Sequence, residues 1–194
     1  MPNWCLTNYT IVGDEKDVDK LYNLMRNLED MKTPLTPNDF GSDWLGCLVV
    51  ALGEKWQEHH CRGYWLNLER NNGTITFDTE TAWCPQNEVF KLLTEKFPSL
   101  KYYYYAEEPG CCIYETNDAE GEYYPDRFYV DMCMPDETYR HEYFITTKKM
   151  FEWISKQIDH TVNSAQEVFD YFAEQKKENE NAYCNLYCIL VVNN

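Results

Sequence analysis

The chain has 194 residues, 44% apolar and 16% aromatic, and carries a formal net charge of −16 at pH 7. That length supports one domain with a sizeable core or two small ones, and the apolar share excludes a disordered chain. The charge argues against direct nucleic-acid binding or docking on anionic lipid, which depend on Lys and Arg, and the longest apolar run, 44–52, is far short of a membrane span and broken by Gly46.

The chain opens Met-Pro-Asn-Trp-Cys and runs into a segment of aromatic and β-branched residues through Val12, which Gly13-Asp14 ends. This reads as a strand with no secretory leader before it, so the expected compartment is cytoplasmic. Asp14 stands as a helix N-cap, Asp17 complements the first turn, and Val18, Leu21, Tyr22, Met25 and Leu28 recur at helical spacing to about Asp30. Thr33-Pro34 and Thr36-Pro37 end that helix. The run 44–53 fits a helical stripe of Leu45, Leu48, Val49 and Leu52 as well as a buried strand, and helix is the preferred reading.

Tyr64, Leu66 and Leu68 alternate with polar residues, as do Ile75 and Phe77, and Asn71-Asn72-Gly73 between them has the chemistry of a tight turn with positive φ. A β-hairpin is predicted. Pro85 stands at a helix start, with Val89, Phe90, Leu93 and Phe97 inward, and a strand follows from Lys101 to about Glu107. The order βαββαβ predicts an α+β, ferredoxin-like sandwich over 1–126, an antiparallel sheet with its helices on one face. A strand pair is expected over 111–114 and 122–124. The remainder, 127–194, reads as an appended strand-helix-helix-strand part. It has a strand over 128–134, and a helix capped by Thr147 with Met150, Phe151, Ile154 and Ile158 inward. A second helix begins at the Ser164/Glu167 capping box before Val168, Phe169 and Phe172, and a last strand covers 183–192.

Nine cysteines are an odd number without an export signal, which predicts reduced thiols packed as small hydrophobes, Cys47, Cys184 and Cys188 among them, with at most one of Cys111 and Cys112 exposed. Between Glu107 and Glu142 there are eleven carboxylates against Arg127 and Arg140, more than half of the net charge in under a fifth of the chain. A solvated face that keeps the protein soluble is the bland explanation of this run.

Several motifs resemble the YubB-like proteins of plasmids and phages, which have a ferredoxin-like domain. They are the opening Met-Pro-Asn-Trp-Cys with Asn3, Trp4 and Asn8, the Gly53-Glu54-Lys55-Trp56 run, Thr81-Ala82-Trp83-Cys84-Pro85, Phe97-Pro98 with Leu100 before a tyrosine-rich strand, and Gly121-Glu122. The similarity covers roughly the first 125 residues and departs from the pattern at Ala51-Leu52, where that family has Asn-Trp. It implies a fold and a mobile-element context, and brings no activity.

No catalytic constellation rises above background, and no cofactor is expected. His59-His60-Cys61 with Cys84 lacks the paired spacing of a zinc site, and Ile145 replaces the second His that would make His141-Glu142 a metalloprotease helix. Thr116–Glu122 lacks the first carboxylate of a calcium loop, and Arg127 stands where the closing Glu belongs. Tyr102–Tyr105 could form a base-stacking platform, but the basic residues that should flank it are nearly absent, and Glu107-Glu108 follow directly. The predicted function is therefore a non-enzymatic acidic interaction module of a mobile element. Glu107, Glu108, Asp118, Glu120 and Glu122 would meet a basic partner protein, with nucleic-acid mimicry as one form. The alternative is a small-ligand binder or enzyme with a pocket around Trp56, Trp83 and His59.

Overall fold

Burial alternates residue by residue from Trp4 to Tyr9 in the first strand of the computed structural model, which describes residues 3–193. In β1 (Trp4–Val12), Cys5, Thr7, Tyr9 and Ile11 are buried while Trp4, Leu6 and Asn8 are exposed, so one face of the strand turns to a core. The chain divides into two compact units, Met1–Ala119 with Val192–Asn194, and Glu120–Val191.

In the first unit β1 pairs antiparallel with β3 (Thr74–Ala82) on one side and β4 (Lys101–Glu108) on the other. Outside these lie β2 (Gly63–Asn71), against β3, and β5 (Ile113–Thr116), against β4. The order β2-β3-β1-β4 is that of a ferredoxin-like sheet, and β5 extends it. The helices α1 (Glu15–Glu29), α2 (Leu45–Ala51) and α3 (Asn87–Lys96) bury their apolar stripes in one cluster with Tyr9, Ile11, Trp65, Ile75, Phe77, Tyr102 and Tyr104. Each fully buried Leu, Ile or Phe of that cluster contributes roughly 1.5–3 kcal/mol. Two buried indole N–H groups in it have specific partners: that of Trp65 donates to Glu29 at 3.0 Å, and that of Trp44 to the Cys61 carbonyl at 2.7 Å.

The hairpin turn is the one expected. Asn72 and Gly73 have φ of 49° and 78°, the left-handed pair of a type I′ turn. The faces of β2 are not those expected. Trp65 and Leu68 are buried, whereas Tyr64 and Leu66 lie on the other face of the sheet. The cause is a β-bulge: three steps from Leu66 to Glu69 face two from Asp78 to Thr76, and Asn67 takes up the extra residue at φ 55°.

The second unit is a three-stranded antiparallel sheet in which β6 (Phe128–Cys133) lies between β7 (Tyr139–Phe144) and β8 (Tyr183–Cys188), with α4 (Thr147–Ile158) and α5 (Ala165–Gln175). Val130, Met132, Phe144, Met150, Ile154, Ile158, Val168 and Phe172 form its core. On the opposite side of β6, the Tyr129 ring lies 4.6 Å from that of Tyr143 and 5.8 Å from that of Tyr187.

Several local expectations are corrected. Asp14 makes no side-chain capping bond; its carbonyl accepts from Asp17 and Val18. Thr146 and not Thr147 caps α4, accepting from the Lys149 N–H. Ser164 caps α5, and Glu167 reaches back to the Asn163 N–H, one residue before the cap. Phe151 is half-buried and Phe169 is exposed. Residues 122–124 form no strand, while 139–144 do. Cys188 is exposed, as are both Cys111 and Cys112, because this pair lies in a turn before β5 and not in the strand.

Two outcomes check this description. Gly73→Val is expected to lower stability by about 1 kcal/mol or more in urea unfolding, from backbone strain alone, since a side chain there meets no other atom. Thiol titration of the denatured, unreduced protein is expected to count nine, because every cysteine is free.

Candidate functional site

The helix-free face of the first sheet carries carboxylates around apolar side chains. Register places Leu6 directly between Glu80 of β3 and Glu107 of β4, and Asn8 between Asp78 and Tyr105. Tyr64 lies beyond Glu80 and Tyr114 beyond Glu107. Leu6 is 49% exposed and Trp4 37%, the Trp4 ring meeting Tyr64 edge-on at 6.3 Å. The carboxylates are held in place: Asp78 accepts from Asn8 at 2.6 Å and Asn67 at 2.7 Å, Glu107 from the Tyr105 hydroxyl at 3.1 Å, and Glu80 from the Tyr64 hydroxyl. That last bond pushes the Tyr64 phenol up to about 12. The bulge at Asn67 thus serves the face twice, by turning Leu66 onto it and by presenting a donor to Asp78.

The predicted acidic residues separate. Glu107 is half-buried on this face, and Glu120 and Glu122 are exposed in the second unit. Glu108 and Asp118 are buried, at 4% and 1% exposure. Glu108 closes the Pro109–Cys111 turn, accepting from the backbone N–H of Gly110 at 3.0 Å and of Cys111. Its carboxyl is held below the usual range, first by a bond from the Cys111 side chain, with the two backbone N–H groups and Asn3 adding to it.

The motif tryptophans also part company. Trp56 is half-buried and packs against the core, its ring 5.1 Å from that of Trp44. Trp83 is 47% exposed and sits at φ 74°, a backbone state that costs a bulky residue about 1–3 kcal/mol and that a bond from its N–H to the Asn3 carbonyl at 2.9 Å holds. Trp83, Cys84, Pro85, Gln86, Asn87, Glu88 and Lys91 line an open groove of about 490 Å³ with His60 and Arg62. His59 does not line it. Both the backbone N–H and the ring Nδ1 of His60 meet the Glu88 carboxylate, at 3.1 and 3.0 Å. Gln86, 6% exposed, donates from Nε2 to the Cys84 carbonyl at 3.1 Å, while its buried Oε1 has no hydrogen-bond partner. No motif announces Gln86, Arg62 and Lys91, which come from two segments, the chain before β2 and the start of α3.

Tyr102 and Tyr104 are buried under the helices, so the four tyrosines form no continuous platform. Among the described residues no group of three or more His, Cys, Asp or Glu could hold a metal. His141 and Glu142 lie on a strand, β7. Burial raises Cys5 and Cys184 to about 12 and Cys61 to about 11, which leaves these thiols protonated and unreactive at neutral pH. No helix among the described residues is long and apolar enough to cross a membrane.

Residues 55–151, half of the chain, match the family described as a ferredoxin-like domain in Api92-like protein. The match starts after α2 and ends in the first turns of α4. Neither a curated protein nor a solved structure matches the chain.

Because the folded-state pKa of Glu108 is depressed, its stabilising contribution is present above the unfolded carboxylate value of about 4.3 and is lost as pH falls through the lower folded value. Glu108→Gln is therefore expected to flatten the fall in thermal stability between about pH 5 and pH 3. An unchanged acid limb in the variant would assign that limb to other carboxylates.

Proposed function

The chain belongs to the family of Api92-like proteins with a ferredoxin-like domain, and on that premise we propose that it is an acidic protein-interaction module that binds a basic partner protein through the helix-free face of its first sheet. The observation that carries this reading is the cross-strand row in which exposed Leu6 stands between Glu80 and Glu107. An aliphatic anchor between two oriented carboxylates suits a segment in which an apolar residue is flanked by Lys or Arg. The only Lys or Arg that these strands present on the same face is Lys101, at the far end of β4 beside Val12.

The exposed Glu120 and Glu122 extend the acidic character of the protein and favour the approach of such a partner by long-range attraction. The finer kinship with YubB-like proteins, and with it a plasmid or phage origin, rests on the Met-Pro-Asn-Trp-Cys and Thr-Ala-Trp-Cys-Pro runs. A cytoplasmic setting is supported by nine free thiols.

A peptide of alternating Lys and Leu, titrated into the 15N-labelled protein, is expected to shift the amides of Leu6, Asn8, Tyr64 and Glu80 and to lose affinity as salt rises. An alternating Glu-Leu peptide should leave them unmoved. Leu6→Lys removes the anchor at an exposed position, so it should abolish the shifts while changing stability by no more than about 0.5 kcal/mol. Equal binding by Leu6→Lys, or binding indifferent to salt, would overturn the assignment of this face.

A further inference from the structure

We propose that the groove between the Trp83–Gln86 turn and the start of α3 is a binding site for a small anion carrying a planar ring, such as a nucleoside monophosphate or an aromatic carboxylate. The site shares no lining residue with the row of Leu6, Glu80 and Glu107 and does not depend on the reading given to that face. Its charge is inverted relative to the rest of the protein. In a chain of net charge −16, Arg62 and Lys91 line the groove, both exposed and neither in an ion pair among the described residues. The one carboxylate there, Glu88, is engaged by the backbone and ring of His60.

Two further features point to an occupant. Gln86 is more than nine-tenths buried and is among the residues lining the groove, and its side-chain carbonyl oxygen, itself buried, has no donor, which is rare in folded proteins. A ligand N–H or O–H entering with a small local rotation supplies that donor. The same residue is the N-cap of α3 and makes no capping bond, so the first turn of a ten-residue helix borders the groove without a side-chain cap, its one carboxylate, Glu88, being engaged by His60. Beside it the half-exposed indole of Trp83 offers a flat apolar surface, on a backbone held in the left-handed region. The Arg62 main chain is tied to the same turn, its carbonyl accepting from the Ala82 N–H at 3.0 Å. With these parts the anionic group takes the Arg62, Lys91 and helix end, and the ring takes Trp83. A groove of about 490 Å³ is large enough for a ligand of this size.

The test follows the amides of 60–62 and 82–91 and the Trp83 indole N–H in the full 15N-labelled chain during titration with adenosine monophosphate, adenosine and indole-3-acetate. Saturable shifts confined to those residues are expected with at least one of the two anions, and the tighter one identifies the source of the negative group. Uncharged adenosine should bind about tenfold more weakly than adenosine monophosphate if the nucleotide is the ligand. Arg62→Ala with Lys91→Ala, both at exposed positions, should weaken the binding anion by about tenfold or more, and Gln86→Met should weaken it with the cations intact. The proposal fails if neither anion produces saturable shifts, if the shifts fall outside these residues, or if the double variant binds as the wild type does.

Discussion

The first unit is organised around the phenol of Tyr9. Its ring sits at the centre of the central strand, 4.0 Å from Phe90 of α3, 5.3 Å from Phe77 of β3 and 5.8 Å from Tyr104 of β4. Total burial drives its pKa well above the usual phenol value, so the O–H stays protonated and must find an acceptor. It finds Asn87 Oδ1 at 3.0 Å. Leaving that hydroxyl unpaired would cost about 1–3 kcal/mol, so the bond fixes where the first residue of α3 lies relative to the sheet. The turn before α3 is then held at both ends, by Asn87 on the core and by Trp83 on Asn3. The exposed groove is shaped from within.

Much of this architecture is written in local chemistry. Asn72-Gly73 states its own turn, the stripe Val18, Leu21, Met25 and Leu28 states the buried face of α1, and the element order fixes the sheet. What escapes is whatever depends on a single inserted residue or on segments far apart. Nothing in Leu66-Asn67-Leu68 marks a bulge, and periodicity alone assigns the wrong face. β7, Tyr-Arg-His-Glu-Tyr-Phe, buries only Phe144, so it shows no apolar alternation. Of the groove, Trp83 and Pro85 stand out as residues of a recognisable run, whereas Gln86 gains meaning only when its oxygen is seen to lack a donor.

The carboxylates show how little a charge total says about a surface. Glu108 spends its charge closing a turn, Glu29 receives the indole of Trp65, and Arg70 of β2 binds Asp19 of α1 at 2.6 Å. Such groups are structural acceptors and are not free for a partner. The carboxylates of the helix-free face also accept from neighbouring side chains, which orient them around apolar anchors. It is their arrangement rather than their number that distinguishes a recognition surface from a solubilising one.

The bulge at Asn67 also bears on how this molecule avoids its own copies. β2 is the outer strand of the first sheet, and a straight nine-residue strand there would present a ladder of unpaired N–H and C=O groups to any passing chain. Its first half is instead screened by the loop before α2, where the Trp65 N–H donates to Asp43 at 3.1 Å and Trp44 bridges Tyr64. Its middle is bent by the bulge, and its last residues are Glu69, Arg70 and Asn71. An extra residue that looks like an irregularity within the hairpin thus guards the sheet against templated growth, the route by which exposed strands seed fibrils.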